Sequence, residues 1–240
     1  TEEWNGSSWS FGGAITTARS NGIGGGQTVG TALATGGYNP SSPNGTFITE
    51  LYDGTSWSAG ANALDIMKYS AGNSIGASAF ATQGLPQNSK TQFYNTVCST
   101  TMCSALGAWS AAANMINSRY SQGYSPSGTQ NSALASGGYP GSSPLTATEE
   151  YDGTSWSAGG AMTEAKWLGG SAGTQNANLF VAGANPTNFQ TNAQEYNGSS
   201  WSNITAFPTG KNALSGTGTE PAGLFMGGQN PSVQSGTTEW

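Results

Sequence analysis

The side chains able to do chemistry are few, and their spacing is regular. The 240 residues hold 6 Lys and Arg, 12 Asp and Glu, 2 Cys and no His. Without imidazole, Ser-His and Cys-His nucleophile pairs lack a base, and His-ligated zinc or copper lacks its ligands. Glycoside hydrolysis needs only two carboxylates, so polysaccharide cleavage stays as an alternative. Most of the acids, however, fall on matching places in a repeat: Glu3, Glu50, Asp53, Glu150, Asp152, Glu195 and Glu239, with Asp65, Glu164 and Glu220 outside it. Residues that recur in every copy serve the repeat rather than one site. The expectation is therefore no catalytic set, no cofactor and no metal.

The cations recur too, as Arg19, Lys68, Arg119, Lys166 and Lys211, leaving Lys90 apart. They admit two readings. A ring of positive charge near one channel mouth would hold an anionic ligand such as an acidic sugar. Alternatively each cation neutralises a Glu on an adjacent strand and lays its stem over a Trp, which is the preferred reading. Tyr38 and Tyr139 are candidates for stacking on sugar rings, but Leu85, Ala184 and Gln229 hold the same place in other copies, which argues against a five-site lectin. Cys98 and Cys103 lie in an insertion carried by one copy. A disulfide pinning an enlarged hairpin loop fits an oxidising exterior, and two free thiols remain the alternative.

These residues are positioned by one circular repeat. An aromatic residue, a Gly/Ser-rich turn and Trp-Ser recur at Glu3–Ser10, Glu50–Ser58, Gln92–Ser110, Glu149–Ser157 and Glu195–Ser202, and the closing Thr238-Glu239-Trp240 restates Glu2-Glu3-Trp4. A period in the forties built of short strand signals predicts an all-β chain: a five-bladed β-propeller of four-stranded antiparallel blades, spanning 1–240 as a single domain. The second strand of each copy is apolar and ends in a Gly that no copy replaces (Gly37, Gly84, Gly138, Gly183, Gly228), a place where a Cβ would be blocked. The third strand ends in the aromatic and the fourth holds the Trp. Asn5-Gly6, Asp53-Gly54, Asp152-Gly153 and Asn197-Gly198 between them suggest two-residue hairpin turns, with Tyr52 opposite Thr55 and Glu50 opposite Trp57. Small residues after each cation suit a narrow hub.

Both ends encode a third strand. Thr237–Trp240 is expected beside the Trp9 strand, closing the ring with N- and C-terminal segments in one blade and leaving Thr1–Glu3 peripheral. Glu50, Glu150 and Glu195 are expected within ion-pair reach of the recurring cations, because an unpaired buried carboxylate is costly.

Composition sets the outer bounds. A net charge of −6 repels a phosphate backbone, so no nucleic acid is expected. No apolar run reaches membrane-spanning length, so no membrane insertion is expected. The chain starts without Met and inside a repeat, which suits a processed product or a segment of a longer protein.

The order apolar strand, Gly-Gly, Tyr-Asp, Trp, Arg or Lys resembles the Kelch repeat. It runs through Gly36-Gly37/Tyr52-Asp53/Trp57/Lys68, Gly84/Tyr94/Trp109/Arg119, Gly137-Gly138/Tyr151-Asp152/Trp156/Lys166, Gly183/Tyr196/Trp201/Lys211 and Gly227-Gly228/Trp240 with Trp9/Arg19. The phrase TEEYDGTSWSAGG also looks like Kelch-like repeats in virion proteins of tailed bacteriophages. Low charge and Ser/Thr/Gly/Asn richness depart from ordinary Kelch proteins and weigh against actin or ubiquitin-ligase adaptor roles. The resemblance implies a non-enzymatic structural or adhesion module, virion-borne or extracellular. Its expected partners are other virion or structural subunits and a host-surface glycan. A secreted carbohydrate-binding propeller is the first alternative.

Overall fold

The computed structural model describes the chain except positions 29–30, 70, 76–77, 83–88, 96–97, 100–101, 104–106 and 125–127, and gives backbone alone at 4, 25–28, 31, 71–75, 78–80, 82, 95, 98–99, 102–103 and 124. Among the described residues there is no helix, and every strand pairing is antiparallel. Contacts divide the chain into two compact units, Thr1–Pro86 with Thr91–Ala112, and Gln87–Lys90 with Ala113–Trp240.

The first unit holds two four-stranded sheets. Sheet one runs Ile23–Thr28, Thr31–Thr35, Thr49–Tyr52, Trp57–Ala59, and sheet two runs Ala71–Ile75, Ser78–Thr82, Thr91–Asn95, Ala108–Ala112. The second unit holds sheet three (Gly123–Tyr124, Ala133–Ser136, Thr148–Tyr151, Trp156–Ala158), sheet four (Gly170–Gly173, Asn178–Val181, Ala193–Tyr196, Trp201–Ile204) and the three-stranded sheet five (Asn212–Thr219, Ala222–Gln229, Thr237–Glu239). Each sheet is a meander in chain order, one per repeat, because turn residues fall between short strands.

The hairpin between third and fourth strands differs from expectation. Tyr52 pairs with Trp57 and Glu50 with Ala59, so the loop is the four residues Asp53–Ser56. The Asp53 side chain decides this: its Oδ1 accepts the backbone N–H of Thr55 and of Ser56, both at 2.8 Å. Asp152 and Asn197 do the same. A carboxylate or amide that closes its own loop replaces the two-residue turn. One consequence is aromatic pairing, with Tyr and Trp ring centroids 5.0 Å apart at Tyr52–Trp57 and 5.1 Å apart at Tyr196–Trp201.

The recurring Gly has its physical reason. Gly37, Gly138, Gly183 and Gly228 have φ of 101°, 91°, 99° and 93°, and a Cβ there would lie 2.8–3.0 Å from the carbonyl oxygens of Ser20, Tyr120, Trp167 and Asn212. Gly84 lies outside the described residues. The small residues of the first strands also meet a neighbour: a Cβ on Gly216 would be 2.2 Å from the Ser171 carbonyl oxygen. The buried apolar side chains pack between sheets, with Leu134, Met162, Phe180, Tyr196 and Trp201 in one cluster. Trp201 Nε1 donates to Thr148 Oγ1 at 2.8 Å, fixing the fourth strand of sheet four on the third strand of sheet three.

The termini pair otherwise than expected. Trp9–Phe11 pairs with Glu2–Trp4, and Thr237–Glu239 pairs with Ala222–Gln229. The N-terminal third strand is thus held in its own hairpin rather than displaced. Glu3 supports that place by accepting the Tyr52 hydroxyl at 2.5 Å, as Glu150 accepts the Tyr196 hydroxyl between sheets three and four.

Candidate functional site

In sheets one, three and four a recurring cation turns into a buried slot. The residue two before the third-strand aromatic (Glu50, Gln92, Glu149, Gln194) is buried, and its oxygens take backbone N–H groups from the segment leading into the same sheet. Thr16 N reaches Glu50 at 2.8 Å, Leu64 N reaches Gln92 at 2.9 Å, Ile116 N reaches Glu149 at 2.7 Å and Thr163 N reaches Gln194 at 2.9 Å. The fold needs this oxygen, since the segment is irregular and has no ladder of its own.

What shares the slot varies. Arg19 Nη1 lies 3.3 Å from Glu50 and its Nη2 donates to Ala34 O at 3.1 Å. Arg119, fully buried, pairs with Glu149 and donates to the carbonyls of Gly137 and Ala147 at 2.9 and 2.7 Å. Burial lowers the pKa of Arg119, and Glu149 opposes that shift. Lys166 has no acid in its slot. Its Nζ is held by Phe180 O at 3.1 Å, Asn192 O at 2.9 Å and Asn192 Oδ1 at 2.7 Å, and burial takes its pKa down to about 7. Lys211 reaches Gly227 O at 3.4 Å.

Sheet two drops the cation altogether. Met67, with no exposed surface, occupies the slot, and the acid position is Gln92. Lys68 points outward instead, to Pro43 O at 3.2 Å and over the Tyr38 ring at 4.8 Å. The backbone marks the shift: the residue two after the slot has positive φ in every copy, at Asn21, Tyr69, Ser121, Leu168 and Ala213. The signal was in the spacing. Trp9 to Arg19 and Trp109 to Arg119 are ten residues, whereas Trp57 to Lys68 is eleven.

The expected ion pairs are corrected in the same way. Glu50 pairs as expected, but in sheet three the partner is Glu149, while Glu150 takes the Tyr196 hydroxyl and Glu195 takes the Ser202 hydroxyl. Strand alternation explains it, since Glu150 and Glu195 stand one residue before the aromatic and so face the other side. Burial, and then the Glu150 contact, push the Tyr196 phenol up to about 12.

At the loop end the copies diverge. The residue after the Gly pair forms a bridge with the residue after the slot: Ser20 with Tyr38, Tyr120 with Tyr139, Trp167 with Ala184. Tyr38 is covered by Lys68, whereas Tyr139 lies against Trp167 at 4.9 Å between centroids, with Tyr120 edge-on at 5.6 Å. The sequence singled out Tyr139 and missed Trp167 and Tyr120. Cys98 and Cys103 are register partners in a short hairpin, Cys98–Ser99 with Met102–Cys103; their side chains lie outside the described residues. Leu85 lies outside them as well. Among the described residues no group of His, Cys, Asp and Glu is arranged to hold a metal ion.

The sequence matches no protein-family model, and no curated protein matches it. Among solved structures, "Structure of YjhT" is similar at TM-score 0.79 and 12% identity, over 96% of this chain and 84% of that one. The likeness is one of fold alone.

Proposed function

We propose that this chain is a single five-bladed propeller serving as a non-enzymatic contact module of a virus particle of the tailed-phage type. The five sheets are read as its blades. The observation that carries the functional reading is the inward turn of the recurring charges: Arg19, Arg119 and Lys166 are engaged by Glu50, Glu149 and backbone or Asn192 oxygens. This favours the structural role of the cations over an anion-binding ring. What differs between repeats is the loops, and variable loops on a rigid scaffold are where recognition resides. The insertion between Tyr94 and Trp109 is the largest departure, and we assign it to contact with a neighbouring subunit or the host surface.

Virion placement is supported by the resemblance to Kelch-like phage repeats. Mass spectrometry of purified virions whose genome encodes the chain tests it. Peptides of this chain are expected at structural-protein abundance, and their absence would overturn the reading. Sugar release from any polysaccharide would replace it with the enzyme alternative.

A further inference from the structure

The rings at Tyr139 are not demanded by the fold. Equivalent places in other repeats are filled by Ser20, Ala184, Asn212 and Gln229, and the bridge Trp167 to Ala184 forms with no ring on one side. Yet between sheets three and four three aromatic rings gather. Tyr139 and Trp167 are tilted by 32° at 4.9 Å, and Tyr120 stands edge-on to both at 5.6 and 6.2 Å. All three are half-buried, so each keeps part of its surface in water.

The cluster is preorganised. Tyr120 and Tyr139 exchange backbone hydrogen bonds at 3.1 and 2.9 Å, Trp167 and Ala184 at 3.1 and 2.8 Å, and the Tyr139 hydroxyl donates to Ser142 O at 2.9 Å. Rings held by ladder contacts lose little entropy when a ligand arrives. Their surroundings are neutral and hydroxyl-bearing, with Ser142 and Ser143 exposed beside Tyr139. The matching place in the first unit is different, because the Lys68 ammonium already lies 4.8 Å from the Tyr38 centroid.

We propose that Tyr139 and Trp167, flanked by Tyr120, form a binding subsite for a neutral pyranose sugar, whose C–H face rests on the rings while its hydroxyls reach the Ser142–Ser143 loop. Aromatic rings with polar rims suit a partner that is apolar on one face and wet on the other. Nucleobases also stack on such rings, but their phosphates meet a chain of net charge −6. Acidic sugars are disfavoured on the same ground, and Lys166 next to Trp167 is turned inward onto Phe180 O and Asn192. The inference rests on the contact reading for its biological setting, but virion content and sugar binding are measured separately.

The test is native affinity electrophoresis in gels containing dextran, galactomannan or β-1,3-glucan, with dextran sulfate as the charged control. At least one neutral polysaccharide should retard the protein. Tyr139→Ala and Trp167→Asn, which install residues the repeat already carries at these places, should weaken that retardation about tenfold. Tyr38→Ala should leave it unchanged. Circular dichroism checks that each variant is folded, and either folded variant decides the question. Equal mobility in all gels, retardation by dextran sulfate alone, unchanged retardation in a folded variant, or equal loss in Tyr38→Ala would overturn the proposal.

Discussion

Sheets three and four fill the same buried slot with different chemistry. In sheet three Arg119 faces Glu149, while in sheet four Lys166 leans on Asn192, whose Oδ1 also accepts the Gln194 amide. The pair in sheet three is matched in charge, and the Arg119 Nη1 donates to two backbone carbonyls. The ammonium in sheet four is surrounded by neutral oxygens, and its pKa falls to about 7. Sheet two shows the third solution, in which Met67 and Gln92 are both uncharged. The slot therefore requires an oxygen for the incoming N–H group, and it tolerates a cation when something answers it. Its partner choice follows local electrostatics.

The largest effect expected is from breaking the matched pair. Glu149→Gln leaves the Arg119 charge buried without a counterion, which should cost about 3–5 kcal/mol in denaturant unfolding. An unchanged midpoint would place the charge in water.

Lys166→Met should instead be neutral or stabilising at pH 7, since no carboxylate is stranded. The pH dependence sharpens this contrast. The Lys166 pKa is about 7 folded against 10.5 unfolded, so across that window the unfolded chain binds the extra proton. Stability attributable to Lys166 therefore rises with pH between these values, by about 1 kcal/mol per unit, and is flat below about pH 7. The difference between wild-type and Lys166→Met curves isolates this slope. Parallel curves would show that Lys166 stays protonated when folded.

Smaller effects come from links outside the slot. Tyr196→Phe removes the hydrogen bond to Glu150 between sheets three and four and should lower stability by about 1 kcal/mol. Asp152→Ala opens the exposed loop and should cost less than Tyr196→Phe. Hydrogen bonds from Ser155 and Thr154 hold the Asp152 carboxyl down to about 2, so its contribution is present above the ordinary value of 3.8 and fades as pH falls through 2. Acid titration by NMR reads that value directly.

Much of the fold was legible because the repeat writes it several times. The apolar second strands, the obligatory Gly37, Gly138, Gly183 and Gly228 and the Tyr–Trp hairpins follow from pattern alone. Register was harder. Asp-Gly has the look of a two-residue turn, and nothing local announces that the Asp53 side chain closes a four-residue loop with Thr55 and Ser56. The Glu150 and Glu195 assignments failed for a related reason, since a shift of one residue in a strand moves a side chain to the opposite face. Lys68 misled because it lies one place beyond the slot that Met67 fills. The aromatic cluster was half visible: Tyr139 follows a Gly pair, but Trp167 is distant in sequence and arrives only through the sheet-to-sheet packing.

A double-mutant cycle on Arg119 and Glu149 tests the matched slot most directly. Arg119→Met and Glu149→Gln copy the Met67 and Gln92 of sheet two. Each alone should be strongly destabilising, and the double variant should recover most of the loss, giving a coupling of about 2–3 kcal/mol. Additive losses would contradict the account, because they would mean that the two residues act independently and that the slot does not match charge to charge.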